Sequence, residues 1–284
     1  MPTNVTPEYK KAEEAFRAAR EPRERLDCLK EMLRTIPKHK GTEHLQADIK
    51  SRIKQLTEEL AGPKKGGKRS GPSYAVRPEG AAQVAMIGPP NSGKSAIHKQ
   101  LTHSQTDVGA WPFTTQLPVP GMLPFEDIYF QLVDLPPLGE EFNIPWYSTP
   151  LQTADAALLI VDLADPACAE QLMYVLDWLR QRKIYLRPDW PGLEESSSPE
   201  SGGESDGDPF RIELPTLLVA NKCDLDPGPG EVEALEELLD IRFPAVRTSV
   251  ETGEGMDAIG EFLYRALNVV RVYTKVPGKP PDSD

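Results

Sequence analysis

The stretch Gly88-Pro89-Pro90-Asn91-Ser92-Gly93-Lys94-Ser95 restricts what this chain can fold into more than any other. It follows Gln83-Val84-Ala85-Met86-Ile87, an apolar run that reads as a buried strand, and it precedes Ala96-Ile97-His98-Lys99-Gln100-Leu101, which reads as the opening of a helix. Strand, glycine-rich loop ending in Gly-Lys-Ser, then helix is the phosphate-binding loop (P-loop) in its confirming context. The glycines let successive backbone N–H groups curl inward toward phosphate oxygens, and the helix N-terminus favours the same anion. Lys94 is expected to serve the β- and γ-phosphates and the Ser95 hydroxyl a Mg2+ ion. The backbone of Gly88, Pro89, Pro90, Asn91, Ser92, Gly93, Lys94, Ser95 and Ala96 forms the expected cradle of a nucleoside phosphate.

A P-loop does not distinguish adenine from guanine. Asn221-Lys222-Cys223-Asp224 does, because it follows the apolar run Thr216-Leu217-Leu218-Val219-Ala220 at a strand end, where ligands bind in open α/β sheets. The Asp224 carboxylate can accept hydrogen bonds from both N1–H and the exocyclic amine of guanine. Against adenine it would stay desolvated and unpaired. A P-loop ATPase or kinase would require Asp224 to be incidental.

Further apolar runs, Ile128–Asp134 and Ala156–Asp162, alternate with helical patterns over 165 to 182, 229 to 240 and 255 to 268, and a short strand is expected over 245 to 249. Strands alternating with helices predict a doubly wound, mostly parallel α/β sheet. Trp178 and Met173 are expected to face the core from the first of these helices, and 103 to 119 reads as loop. Before this domain, residues 1 to 61 carry leucines and isoleucines at steps of three and four (Leu26, Leu29, Leu33, Ile36; Leu45, Ile49, Ile53, Leu56, Leu60), broken by Pro37-Lys38-His39-Lys40-Gly41. They predict an N-terminal antiparallel helical hairpin preceded by a short helix near Pro7 to Arg20. Its charges read either as a solvated face or as a basic arm touching RNA. Residues 62 to 80 are expected as a basic linker, 81 to 270 as the nucleotide-binding domain, and 188 to 209, rich in Glu, Ser, Gly and Asp, as a disordered acidic insertion.

A net charge of −12 argues against nucleic-acid binding by the chain as a whole, although Lys and Arg outnumber Asp and Glu before residue 70. The widely separated Cys28, Cys168 and Cys223 suggest a reducing compartment. No apolar run is long enough to span a bilayer, and Met1-Pro2-Thr3-Asn4 does not open a signal peptide. The simplest expectation is a cytoplasmic monomer without a membrane partner. His39, His44, His98 and His103 form no metal-ligand spacing with a cysteine.

Ordered along the chain, these motifs resemble the Obg/DRG (developmentally regulated GTP-binding) family of P-loop GTPases. Trp111-Pro112-Phe113-Thr114-Thr115 is similar to that family's switch I, and Ser249-Val250-Glu251-Thr252-Gly253 to its last guanine-binding loop. Pro7–Glu13 and Ile36–Glu43 resemble the helical segment before the family's G domain. Arg271-Val272-Tyr273-Thr274-Lys275 resembles the opening of a TGS domain, so 271 to 284 is expected as the remnant or start of one. The resemblance implies a GTP-hydrolysing switch associated with the ribosome or other RNA of translation. It also implies Thr115 as a switch I ligand of Mg2+ (Thr114 its substitute), Asp134 holding Mg2+ through a water, Ser249 and Val250 at the guanine, and Asn91 as a K+ ligand. With Lys94, Thr115 and Asn91 form the implied catalytic set.

Switch II departs from the family pattern Asp-x-x-Gly, reading Asp134-Leu135-Pro136-Pro137. The glycine normally donates its N–H to the γ-phosphate, and proline has none. Gly139 is a displaced alternative donor. Slow hydrolysis and a modest preference for GTP over GDP are therefore expected, with a nucleotide-binding scaffold that barely hydrolyses as the alternative function.

Overall fold

The computed structural model describes residues 6–19, 21–37, 40–61, 74–103, 117–140, 144–193, 209–225, 230–239 and 242–270. The chain divides into two compact units: Met1–Ser73 with Ser198–Arg211, and Tyr74–Ser197 with Ile212–Asp284.

The first unit is helical: α1 (Pro7–Ala18), α2 (Pro22–Thr35) and α3 (Glu43–Ala61), with a 3-10 turn at Lys40–Thr42 before the last. Both α1 and α2 open on proline, whose missing N–H costs nothing in a first turn. Thr6 caps α1 by accepting from Tyr9 N at 3.2 Å, and its own hydroxyl donates to Thr35 O at the end of α2 at 3.1 Å. Tyr9, Phe16, Leu29, Met32, Ile36 and Ile49 make the core. Phe210 completes it, edge-on to Phe16 with centroids 6.0 Å apart and beneath the Arg52 guanidinium at 4.0 Å.

The second unit is built on β1 (Ala82–Ile87), α4 (Lys94–Thr102), β2 (Val119–Phe125), β3 (Ile128–Asp134), α5 (Ser148–Leu151), β4 (Ala156–Asp162), α6 (Cys168–Arg180), β5 (Ile184–Arg187), β6 (Ile212–Asn221), α7 (Glu231–Leu239), β7 (Ala245–Arg247) and α8 (Met256–Ala266). The sheet runs β2-β3-β1-β4-β6-β5, with β7 also paired to β6. All pairings are parallel except the β2–β3 hairpin. Strands β1 and β4 are buried along their whole length, as a sheet covered on both faces requires. This is the expected α/β G-domain fold.

Several expectations change. Of the loop expected at 103 to 119, residues 104–116 lie outside the described residues; β2, seven residues long, begins at its last residue, Val119, and carries Pro120, Gly121 and Pro124, a stretch from which the sequence predicts no strand. It is an edge strand, the one place where prolines without donors are tolerated. Met173 is 51% exposed, whereas Trp178 is buried as expected. Leu172, Val175, Leu176 and Leu179 set the inward face of α6, and Met173 shares the opposite face with Asp177 and Arg180.

Residues 74–80 of the expected linker and 188–193 of the expected insertion belong to the second unit. Val76 packs into the core, and its carbonyl accepts from Gln83 Nε2 at 3.3 Å; Gln131 Nε2 donates to Arg77 O at 3.1 Å. Tyr74 stacks on Trp146 at 4.4 Å, so residues 74–80 belong to the G domain, and 62–73 lie outside the described residues. At the insertion, Trp190 is 3% exposed and its indole N–H donates to Thr216 O at 3.2 Å. It meets Phe262 edge-on at 5.0 Å, which fixes 188–193 to the domain, while 194–208 lie outside the described residues. A single tryptophan buries enough surface to hold a short polar segment.

Candidate nucleotide-binding site

The C-terminal ends of β1, β3, β4 and β6 converge on the P-loop. Gly88 passes so close to the Ile160 carbonyl that a Cβ there would collide with backbone. Asn91 takes a left-handed conformation (φ 59) at the exposed crest, a geometry asparagine tolerates. Ser92 is fully buried and its hydroxyl donates to Pro89 O at 3.0 Å. Gly93, also left-handed (φ 91), caps α4, whose first residues are Lys94, Ser95 and Ala96.

Lys94 lies in the loop's interior, 6% exposed, donating to Gly88 O at 3.2 Å and Pro89 O at 3.0 Å. Burial lowers its pKa to about 8, against the pull of Asp134. The ammonium is thus held by neutral carbonyls inside a cradle shaped for anions. The Ser95 hydroxyl donates to Asp134 Oδ2 at 2.6 Å, whereas Asp134 Oδ1 is buried without a hydrogen-bond partner. Burial raises the Asp134 pKa, opposed by the Ser95 bond and by Lys94 and His98. A hydroxyl and a carboxylate with one orphaned oxygen, set together at a phosphate cradle, are oxygen donors of the kind a hydrated Mg2+ takes, so Ser95 and Asp134 fit that ion.

The base side of the site is braced to the phosphate side by Asn221. Its Nδ2 donates to Ser92 O at 2.9 Å and its Oδ1 accepts from the Thr248 hydroxyl at 3.3 Å. Gly93 makes room for it, since a Cβ there would collide with Asn221 Nδ2. Lys222 turns the chain in a left-handed conformation (φ 62), and Cys223 N donates to Thr248 O at 3.1 Å. Asp224 is exposed beyond that turn. Ser249 is fully buried, its hydroxyl accepting from Thr252 N at 3.1 Å, and Val250 packs on the core beside it.

Switch II is fastened down. Leu135 N donates to Met86 O at 3.3 Å and Leu138 N to Gly88 O at 3.1 Å, with both leucine side chains buried. Pro137 is half-buried between them, and Gly139 follows in a bend. Thr114 and Thr115 lie outside the described residues. Sequence reading missed Asp162, which ends β4 in register with Asn221 and binds Lys222. Its signal was an acid closing an apolar strand, which alone says nothing of a partner sixty positions away.

Along its length the chain is 35% identical over 297 residues to a Dictyostelium discoideum developmentally-regulated GTP-binding protein 2 homolog, covering 90% of this chain and 81% of that protein. This chain belongs to the developmentally-regulated GTP-binding (DRG) family. The family model described as 50S ribosome-binding GTPase matches residues 83–187, from β1 through β5. Uncharacterized GTP-binding proteins of Halobacterium salinarum (26% identical, 92% of this chain and 82% of that protein) and Methanocaldococcus jannaschii (27%, 92% and 77%) are similar over nearly the same span. Among the described residues of this DRG-family chain, no helix is long and apolar enough to cross a membrane.

Proposed function

We propose that this chain is a Mg2+-dependent GTP-hydrolysing switch. The observation that carries the reading is the convergence on one P-loop of Lys94, the Ser95–Asp134 pair at 2.6 Å, and Asn221 joining the loop to the guanine-reading segment. Ser95, Thr115 and, through a water, Asp134 would hold Mg2+, which would supply charge neutralisation at the phosphates. Lys94 leaves the Gly88 and Pro89 carbonyls for the β- and γ-phosphates. Asp224 accepts the guanine N1–H and amine, and Ser249 and Val250 close the base pocket. Asn91, at the crest of the loop, is the ligand for K+, whose charge would stabilise the transition state. Hydrolysis is phosphoryl transfer to water, driven by positioning and charge rather than by a covalent intermediate.

Single-turnover GTP hydrolysis in Mg2+, compared in KCl and NaCl, tests this. Faster turnover in potassium supports the switch and Asn91; no turnover in either salt, with GTP bound, refutes it. That second outcome fits a nucleotide-binding scaffold, a reading favoured by Pro137 and by the Leu138 amide already spent on Gly88.

The partner we infer is the ribosome or RNA of the translation apparatus. Support comes from the description of the matching family model and from the basic balance before residue 70. Charge reversal at Lys64, Lys65, Lys68 and Arg69 should weaken cosedimentation with ribosomes, most visibly at low salt. Unchanged cosedimentation would remove that segment from the contact.

A further inference from the structure

Asp162 has no part in phosphate or Mg2+ binding as described above, yet it is built into the site. It closes β4 in register with Asn221, the last residue of β6, and Leu163 N donates to Asn221 O at 3.3 Å. Asp162 is 9% exposed, and both of its carboxylate oxygens are used. Oδ1 accepts from Ala164 N at 3.0 Å, fixing the carboxylate on its own turn. Oδ2 accepts from Lys222 Nζ at 2.6 Å. The left-handed turn at Lys222 (φ 62) is what sends that side chain back across to the neighbouring strand end.

We propose that Asp162 is a positioning residue for guanine-nucleotide binding, holding the Lys222 ammonium so that the lysine's hydrocarbon stem stands as a fixed wall beside the base. The inference rests on the nucleotide reading above. A lysine free in solvent samples many rotamers, and ordering it on binding costs side-chain entropy. The clamp removes that cost beforehand. It also keeps a second ammonium away from the phosphates, leaving Lys94 as the cation of the P-loop. Asp162 therefore acts on the base end of the ligand, through Lys222, and not on the phosphate end.

The test is a double-mutant cycle on the full chain, titrated with Mg·GDP and, as a probe of the phosphate cradle alone, with Mg·pyrophosphate. Asp162→Asn keeps an oxygen for Ala164 N, so the turn is retained. It should weaken GDP roughly tenfold, as loss of a well-ordered charge pair does, and leave pyrophosphate unchanged. Lys222→Met keeps the stem and removes the ammonium. In the Lys222→Met background, Asp162→Asn should change GDP affinity by less than about twofold. Equal weakening of GDP and pyrophosphate would make Asp162 a structural residue and overturn the proposal. So would an undiminished effect in the Lys222→Met background, or no effect on GDP at all. A wild-type protein that bound pyrophosphate but not GDP would sink the nucleotide reading itself, and the clamp with it.

Discussion

Asn221 and Ser92 are 129 positions apart, and the amide of one donates to the carbonyl of the other at 2.9 Å. Two loops that would otherwise be ordered separately by the ligand are thereby ordered together before it arrives. Ser92 is fully buried, so its carbonyl has no water to turn to if Asn221 is shortened.

Asn221→Ala should therefore lower stability by roughly 1–3 kcal/mol, the cost of leaving buried polar groups unpaired. Because the brace spans both halves of the site, affinity should fall for GDP and for pyrophosphate alike. Urea denaturation and titration with both ligands check this; a loss confined to GDP would show that the two loops are held independently.

Lys94 predicts a pH dependence whose sign is opposite to that of an ion pair. Its folded pKa is about 8 against the ordinary 10.5, so burial penalises the charged form. Below pH 8 the nucleotide-free protein bears the whole cost; between pH 8 and 10.5 the unfolded chain binds more protons than the folded one, and stability rises with pH. The gain is on the order of 3 kcal/mol, since each pH unit separating the two values is worth about 1.36 kcal/mol. Chemical denaturation from about pH 7 to 10.5 should show this rise for the wild type and its loss in Lys94→Met.

How far the sequence exposed all this depended on how local each signal was. The P-loop is contiguous, and its glycines, lysine and serine are needed at fixed offsets, so strand, loop and helix were legible at once. The strands Ile128–Asp134 and Ala156–Asp162 are found at the limits their apolar runs predict. By contrast, β2 was hidden because an edge strand can carry the prolines that normally argue against a strand. The Asp162–Lys222 pair and the Asn221–Ser92 brace were invisible for another reason: each is created by strand order, which brings β4, β6 and β1 side by side. Met173 is exposed against expectation because an apolar residue on an amphipathic helix reads as core unless its angular position is weighed against its neighbours.

Tyr74 and Trp146 stack nearly parallel, with ring centroids 4.4 Å apart and an interplanar angle of 7°. The stack secures the first described residues of the G domain, where Val76 and the amides of Gln83 and Gln131 continue the attachment. Tyr74→Ala should cost roughly 0.5–1.5 kcal/mol beyond the lost area, and Tyr74→Phe much less. Thermal melts should rank the variants in that order. Amide exchange in 74–80 should rise in the alanine variant while β4 stays protected.

Pro137 stands where the family resemblance leads to the expectation of a glycine N–H, which proline lacks. The next amide along, Leu138 N, is already bonded to Gly88 O at 3.1 Å. Pro137→Gly would restore a donor without removing either leucine from the core. One well-placed donor to developing transition-state charge is worth roughly a hundred- to a thousandfold in rate where its geometry is fully realised, so single-turnover hydrolysis should rise by at least about tenfold. The preference for GTP over GDP should rise with it, since only GTP has the acceptor. Glycine also loosens the unfolded chain, so stability should fall by about 1 kcal/mol. Hydrolysis and nucleotide preference that both stay at the wild-type level, with the stability loss present, would show that the packing of Leu135 and Leu138, rather than the missing N–H, sets the behaviour of this switch.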